Sequence, residues 1–120
     1  VDHARLMVKL EGVGVKGKLK EWIQDWLTDR RQRVRVDGNL SEWEEVSSSV
    51  VQGSVLGGTL FNIFIDDIDE AAINALLRKF ADDTKVAMII QSKEDAERFK
   101  QVIDELCEWA RKWEMPFNVK

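Results

Sequence analysis

The tetrapeptide Phe80-Ala81-Asp82-Asp83 constrains this chain more than any other stretch. Leu76-Leu77-Arg78-Lys79 precede it, and Thr84-Lys85-Val86-Ala87-Met88-Ile89-Ile90 follow. The right flank is apolar and β-branched, as a strand requires. Aspartate is poor inside a strand and good in a turn. The pattern predicts strand 76–81, a tight turn at Asp82-Asp83 and strand 84–90. Two carboxylates at a hairpin tip suit a hard divalent cation. Mg²⁺ takes oxygen ligands, usually one or two carboxylates completed by waters and substrate phosphates. Two such ions roughly 3.5–4 Å apart can activate an attacking oxygen and stabilise a leaving one. Taken alone, the tetrapeptide reads more readily as a merely soluble turn.

The surroundings change that reading. Upstream stands the run from Val50-Val51-Gln52-Gly53-Ser54 through Leu56-Gly57-Gly58-Thr59-Leu60-Phe61 to Phe64-Ile65-Asp66-Asp67-Ile68. This run resembles the reverse transcriptase pattern V-P-Q-G-S-x-L-G-P-x-L-F-x-x-[FY]-[IV]-x-D-[IL], followed after a short spacer by [FY]-A-D-D. Two ordered motifs at family spacing make the resemblance specific, and it covers essentially the whole chain. The likeness is to reverse transcriptases of non-LTR (LINE-type) retrotransposons; group II intron enzymes are more distant.

At 120 residues the chain is one domain or a piece of one. A hydrophobic share of 44% and five Trp supply a core. No apolar run of roughly 18 residues is present, so no membrane span is expected. The N-terminus lacks a signal-peptide layout. A single cysteine, Cys107, excludes an internal disulfide and suits a reducing compartment. An intracellular protein of nucleus or cytoplasm is expected, not a secreted one. The net charge of −4 argues weakly against nucleic acid. Its distribution says more, because residues 1–36 carry nine Lys/Arg against five Asp/Glu and residues 37–120 carry nine against seventeen. A basic part and an acidic part fit a polymerase segment, one for backbone and one for metal; they also fit an ordinary mixed surface.

In chain order, Asp2 reads as the N-cap of a short helix through Leu10. His3 reads as structural, since no second metal ligand is spaced for it. Gly12-Val13-Gly14-Val15-Lys16-Gly17 lacks the spacing of a phosphate loop and reads as a helix stop and turn. Lys18 to Asp29 is an amphipathic helix whose Leu19, Trp22, Ile23, Trp26 and Leu27 form one core face. A strand Gln32–Val36 follows, with Arg31, Arg33 and Arg35 on one face. Asp37-Gly38 turns it into a partner strand from Asn39 to Val46. The three arginines could follow a phosphate backbone; they could equally be a solvated face.

Gln52 offers donor and acceptor, and Gly53 lets the backbone approach a ligand. The family usually has Gly at Ser49, Pro at Val51 and Pro at Gly58, so this loop is less fixed in φ here. After Gly58, Leu60, Phe61, Phe64, Ile65 and Ile68 make a helix face, and Asp66 to Glu70 is expected as its solvated end. Ser92-Lys93-Glu94-Asp95 is a capping box. It opens a long helix with the stripe Ala96, Phe99, Ile103, Leu106, Ala110 and Trp113. Pro116 ends that helix, and Phe117 to Lys120 begins a strand.

The expected class is α+β, antiparallel hairpins packed on helices. The resemblance implies residues 1–120 of a polymerase palm, a partial domain trimmed at both ends. It implies an RNA-directed DNA polymerase with Mg²⁺ or Mn²⁺ as cofactor. RNA template, DNA primer and dNTPs would be its partners, alongside other domains of a larger polyprotein. Asp82 would be the main metal ligand and Asp83 its assistant. Phe80 would pack beneath the primer terminus, and Gln52, Gly53 and Ser54 would touch template and nucleotide. The family's first catalytic aspartate would lie upstream of Val1, so the isolated chain is expected to be inactive. The alternative is a decayed or domesticated fragment that binds nucleic acid or protein without catalysis.

Overall fold

The computed structural model describes residues 1–118, in two compact units, Val1–Leu60 and Phe61–Lys120. No helix among the described residues is long and apolar enough to cross a membrane.

The first unit opens with α1 (His3–Gly12) and α2 (Gly17–Leu27). The Asp2 carboxylate accepts the Arg5 amide at 2.8 Å, satisfying one of the first orphan N–H groups of α1. Gly14, at φ +91°, turns the chain between the helices. Leu6, Leu10, Ile23 and Leu27 are buried. The core face expected on α2 is narrower than its sequence stripe. Leu19 and Trp22 are 56% and 54% exposed, and Trp26 is half-buried. A helix pair encloses only the residues along its line of contact. The Trp22 and Trp26 rings instead stack on each other, with centroids 6.2 Å apart.

The arginine hairpin is interrupted. β1 (Arg31–Gln32) pairs antiparallel with β4 (Glu44–Glu45), and β2 (Arg35–Val36) pairs with β3 (Asn39–Leu40) across Asp37-Gly38. Between them Arg33 and Val34 face three residues, Ser41 to Trp43. The extra residue breaks the ladder as a bulge does. The Ser41 hydroxyl accepts the Val34 amide at 2.8 Å and so replaces a lost rung.

α3 (Val55–Ile65) runs on into a 3₁₀ helix, Asp66–Ala72. The motif helix thus starts three residues before Gly58, and the acidic run is not its α-helical end. In the second unit β5 (Leu76–Phe80) pairs antiparallel with β6 (Asp83–Ala87), and α4 (Lys93–Lys112) follows. Phe64, Ile65, Ile68, Val102, Leu106 and Trp109 are buried here. The predicted α4 stripe is rotated. Val102 and Trp109 join Leu106 and Ala110 inside, while Ile103 is 38% exposed and Ala96 lies in solvent. The indole N–H of Trp109 donates to Asp67 Oδ1 at 2.9 Å, which removes the cost of burying it. The capping box is formed on both sides, Ser92 Oγ accepting the Asp95 amide and Asp95 Oδ2 accepting the Ser92 amide. The helix ends at Lys112, before Pro116. Phe117 and Asn118 form no strand, and Val119 and Lys120 lie outside the described residues.

The register Phe80↔Asp83 places the turn one residue earlier than expected. Ala81 and Asp82 are its two central residues, and Asp83 already belongs to the strand. Ala81 sits at φ +50°. A positive φ at the first central position is the type II′ pattern, which favours glycine. An L-residue there costs roughly 1–2 kcal/mol, partly offset by its smaller entropy loss on folding. Ala81→Gly should therefore stabilise the chain by up to ~1 kcal/mol, and Ala81→Val should destabilise it by ~1–2 kcal/mol. Urea unfolding of the two variants against the parent sequence checks both signs.

A second expectation concerns acid. The backbone N–H of Gln91, then the Ser92 interactions, hold the Asp95 carboxyl below its usual value. A depressed folded pKa contributes stability that is present above the unfolded value, near 4, and is lost as pH falls through the folded value. Asp95→Asn should flatten the stability profile in that acid window and leave its shape at neutral pH unchanged. Thermal melts across the window measure the difference.

Candidate active site

The second unit carries the carboxylates. β5 and β6 alternate, with Leu77, Lys79, Thr84 and Val86 half-buried and Leu76, Arg78, Phe80, Asp83 and Lys85 outward. The two-residue turn exposes both Asp82 and Asp83. Phe80 is 83% exposed, so its ring is presented on the hairpin surface rather than packed in a core. Phe80, Asp82 and Asp83 thus meet at one tip. A cavity of about 180 Å³ opens beside Asp82, lined by Ala81, Thr84, Phe61, Ile65 and Phe117 among others.

The donor set fits a hard cation. Two exposed carboxylates supply what Mg²⁺ commonly takes from protein when waters and substrate phosphates complete its shell. No group of three or more His, Cys, Asp or Glu side chains able to hold a metal occurs among the described residues.

The hairpin is fastened from beneath by a residue that sequence reasoning passed over. Lys79 Nζ donates to Asp69 Oδ2 at 2.9 Å and to the carbonyls of Asp66 and Ile65 at 3.3 and 3.4 Å. The signal was present in the alternation, since a lysine stands where the inward face calls for an apolar side chain. The acidic run is likewise more than a solvated end. Asp69 receives Lys79, Asp67 receives Trp109, and Ile68 is buried.

In the first unit Gln52 and Gly53 form the turn into α3, with Gly53 at φ +81° and both residues exposed. Ser54 has a local duty. Its hydroxyl donates to the Val51 carbonyl at 2.7 Å and accepts the Gly57 amide at 2.9 Å, as an N-cap does. Gly57 carries a constraint its place in the motif did not explain. A Cβ there would stand 2.5 Å from the Val51 carbonyl oxygen, so the turn closes on the helix only with glycine. Ser49 lies at φ +75°, a conformation glycine adopts freely and serine does not. The strand-like segment before this loop is tied to the N-terminus. Ser49 donates its amide to the Val1 carbonyl, and His3 Nε2 donates to the Ser49 carbonyl at 2.7 Å. His3 therefore serves the backbone.

Arg31, Arg33 and Arg35 are exposed. The Arg33 guanidinium lies 4.4 Å from the Trp43 ring centre, a cation–π contact. Arg30, just before β1, has a buried Nη1 without a hydrogen-bond partner. It lines a cavity of about 510 Å³ together with His3, Asp29, Arg31 and Glu45.

Known proteins match this chain throughout. The family described as reverse transcriptase (RNA-dependent DNA polymerase) matches residues 1–120. An RNA-directed DNA polymerase from mobile element jockey of Drosophila melanogaster is 30% identical over 110 residues, covering 82% of this chain and 12% of that protein. The jockey polymerase of Drosophila funebris is 30% identical over 129 residues, covering 98% of this chain and 14% of that protein. A probable RNA-directed DNA polymerase from transposon X-element of Drosophila melanogaster is 28% identical over 119 residues, 88% of this chain and 13% of that protein. The chain thus spans only a small part of the curated relatives it matches. No solved structure matches it. With the Gln52-Gly53-Ser54 turn and the Phe80-Ala81-Asp82-Asp83 hairpin both in place along a full-length match, the chain belongs to the reverse transcriptase family.

Proposed function

We propose that this chain is the palm segment of an RNA-directed DNA polymerase of a non-LTR retrotransposon. It would work as part of a longer intracellular polyprotein on an RNA template, a DNA primer and dNTPs. The observation that carries the reading is the Asp82-Asp83 tip: two exposed carboxylates on a tight hairpin, in a chain of this family.

Asp82, at the apex of the turn, is the main ligand for Mg²⁺ or Mn²⁺, and Asp83, on the first rung, assists. A bound divalent ion polarises phosphoryl oxygens and lowers the pKa of a coordinated hydroxyl. The chain's own residues bind and orient. The exposed Phe80 ring offers an apolar surface to the primer terminus. The Gln52 amide can donate to and accept from template or nucleotide, and Gly53 allows close backbone approach. Ser54 and Gly57 hold that turn against α3. Arg31, Arg33 and Arg35 are suited to backbone phosphates.

Primer extension on an RNA template tests the reading, using a longer reverse transcriptase that contains this segment. Asp82→Ala should lower kcat by a factor on the order of a thousand or more, because several kcal/mol of charge stabilisation in the transition state is lost. The 120-residue chain alone should show no extension above background. Extension by the longer protein that survives Asp82→Ala would overturn the assignment. A longer protein that binds primer–template and extends nothing would favour the non-catalytic alternative.

A further inference from the structure

Lys79 faces inward on β5, and its side chain is 22% exposed. Its three ammonium protons have three acceptors, the Asp69 carboxylate and the carbonyls of Ile65 and Asp66. Those carbonyls belong to the last residue of α3 and the first of the 3₁₀ helix. The chain passes there from α3 into the 3₁₀ helix without a break, and each carbonyl has a second lone pair beyond the one its helical bond uses, which the ammonium group can take. Lys79 pairs across the hairpin with Thr84, one rung below the closing rung Phe80↔Asp83. The anchor therefore sits directly beneath the turn that carries Asp82.

The hairpin needs such an anchor. β5 and β6 form a two-stranded sheet, and a pair of strands is marginal in water without further packing. Apolar contacts beneath it are non-directional and tolerate sliding. The short bond to Asp69 and the two longer ones to helical backbone carbonyls are directional.

We propose that Lys79 is a positioning residue for the polymerase site, setting the height and tilt of the Asp82-Asp83 turn against the C-terminus of α3. This rests on the reading of Asp82 and Asp83 as metal ligands. Lys79 itself touches neither metal nor substrate. It acts by keeping two carboxylates where a shared ion requires them, since small displacements of ligating groups cost rate steeply.

The test uses Lys79→Met, Lys79→Arg and Asp69→Asn in a longer reverse transcriptase that contains this segment, with Asp82→Asn alongside. Lys79→Met should lower kcat roughly tenfold or more and raise the Mg²⁺ concentration for half-maximal extension. The KM for primer–template should stay within about twofold, a split expected when an interaction matters only to the chemical step. Lys79→Arg should recover part of the loss, and Asp69→Asn should shift Mg²⁺ half-saturation in the same direction by at least about twofold. A readout apart from activity comes from ¹⁵N relaxation of the 120-residue chain. The Asp82 and Asp83 amides should fall from rigid order parameters, about 0.85, towards 0.6 in Lys79→Met.

A lysine that merely stabilised the fold would lower Tm and leave kcat per active molecule, Mg²⁺ half-saturation and the turn's order parameters unchanged. That result overturns the proposal. If Lys79→Met does not fold, Asp69→Asn carries the decision, because Asp69 is exposed and its loss leaves the inward position filled. No shift in Mg²⁺ half-saturation there overturns the proposal as well. Asp82→Asn separates the two levels. An active Asp82→Asn sinks the metal-ligand reading; an inactive one beside an unaltered Lys79→Met sinks the role of Lys79 alone.

Discussion

The second unit depends on the bonds that Lys79 makes where α3 runs into the 3₁₀ helix. The helix does not stop there. It tightens into the 3₁₀ segment Asp66–Ala72, and two other elements reach into that segment. Lys79 from β5 bonds Asp69 and two carbonyls; Trp109 from α4 bonds Asp67. Ile68 between them is buried, and Phe64 one turn earlier meets the Trp113 ring edge-on at 6.1 Å. Polar bonds set direction at this junction, and apolar burial supplies most of the driving force. Exposed ion pairs such as Lys79–Asp69 are worth little in energy. Their value here lies in geometry, because the hairpin above has no third strand among the described residues to orient it.

A similar economy holds the Gln52 turn in the first unit. Ser54 caps α3, and Gly57 lets the Val51 carbonyl come close enough to accept from the Ser54 hydroxyl. Gln52 and Gly53 are thereby left exposed on a turn closed by the bonds between Ser54 and Val51. The strain elsewhere is modest. Ser49 and Ala81 hold positive φ without being glycine beside the motif residues, as Asp29, Asp37 and Glu114 do away from them.

Much of this was legible in the amino-acid sequence, because local chemistry dominated where it was legible. The Asp2 cap, the Asp37-Gly38 turn, the Ser92 capping box and the stop before Pro116 follow from individual residues and their backbone preferences. The Asp82-Asp83 hairpin was legible as a hairpin, yet its turn is Ala81-Asp82. Turn register depends on which cross-strand pair closes the loop, and neighbouring aspartates look alike to a propensity argument. Helix faces were less legible. The α2 stripe needed a partner broad enough to cover it, and on α4 the buried set Val102, Leu106 and Trp109 keeps the same 3-4 spacing as the expected stripe, so periodicity alone did not choose between two overlapping faces. The acidic run deceived for a related reason: charge density on its own does not reveal which carboxylates have donors waiting. The residue pattern points to metal binding at Asp82 and Asp83, and both carboxylates lie exposed at the hairpin tip.

The central claim is that the two carboxylates at the hairpin tip, and not the denser acidic run from Asp66 to Glu70, receive the divalent ion. Paramagnetic broadening by Mn²⁺ resolves this residue by residue in the 120-residue chain, even when binding is weak. On titration with substoichiometric Mn²⁺, the backbone amides of Asp82 and Asp83 should broaden first, with Phe80 and Thr84 next. Broadening centred on Asp66 to Glu70, with Asp82 and Asp83 unchanged, would contradict the account.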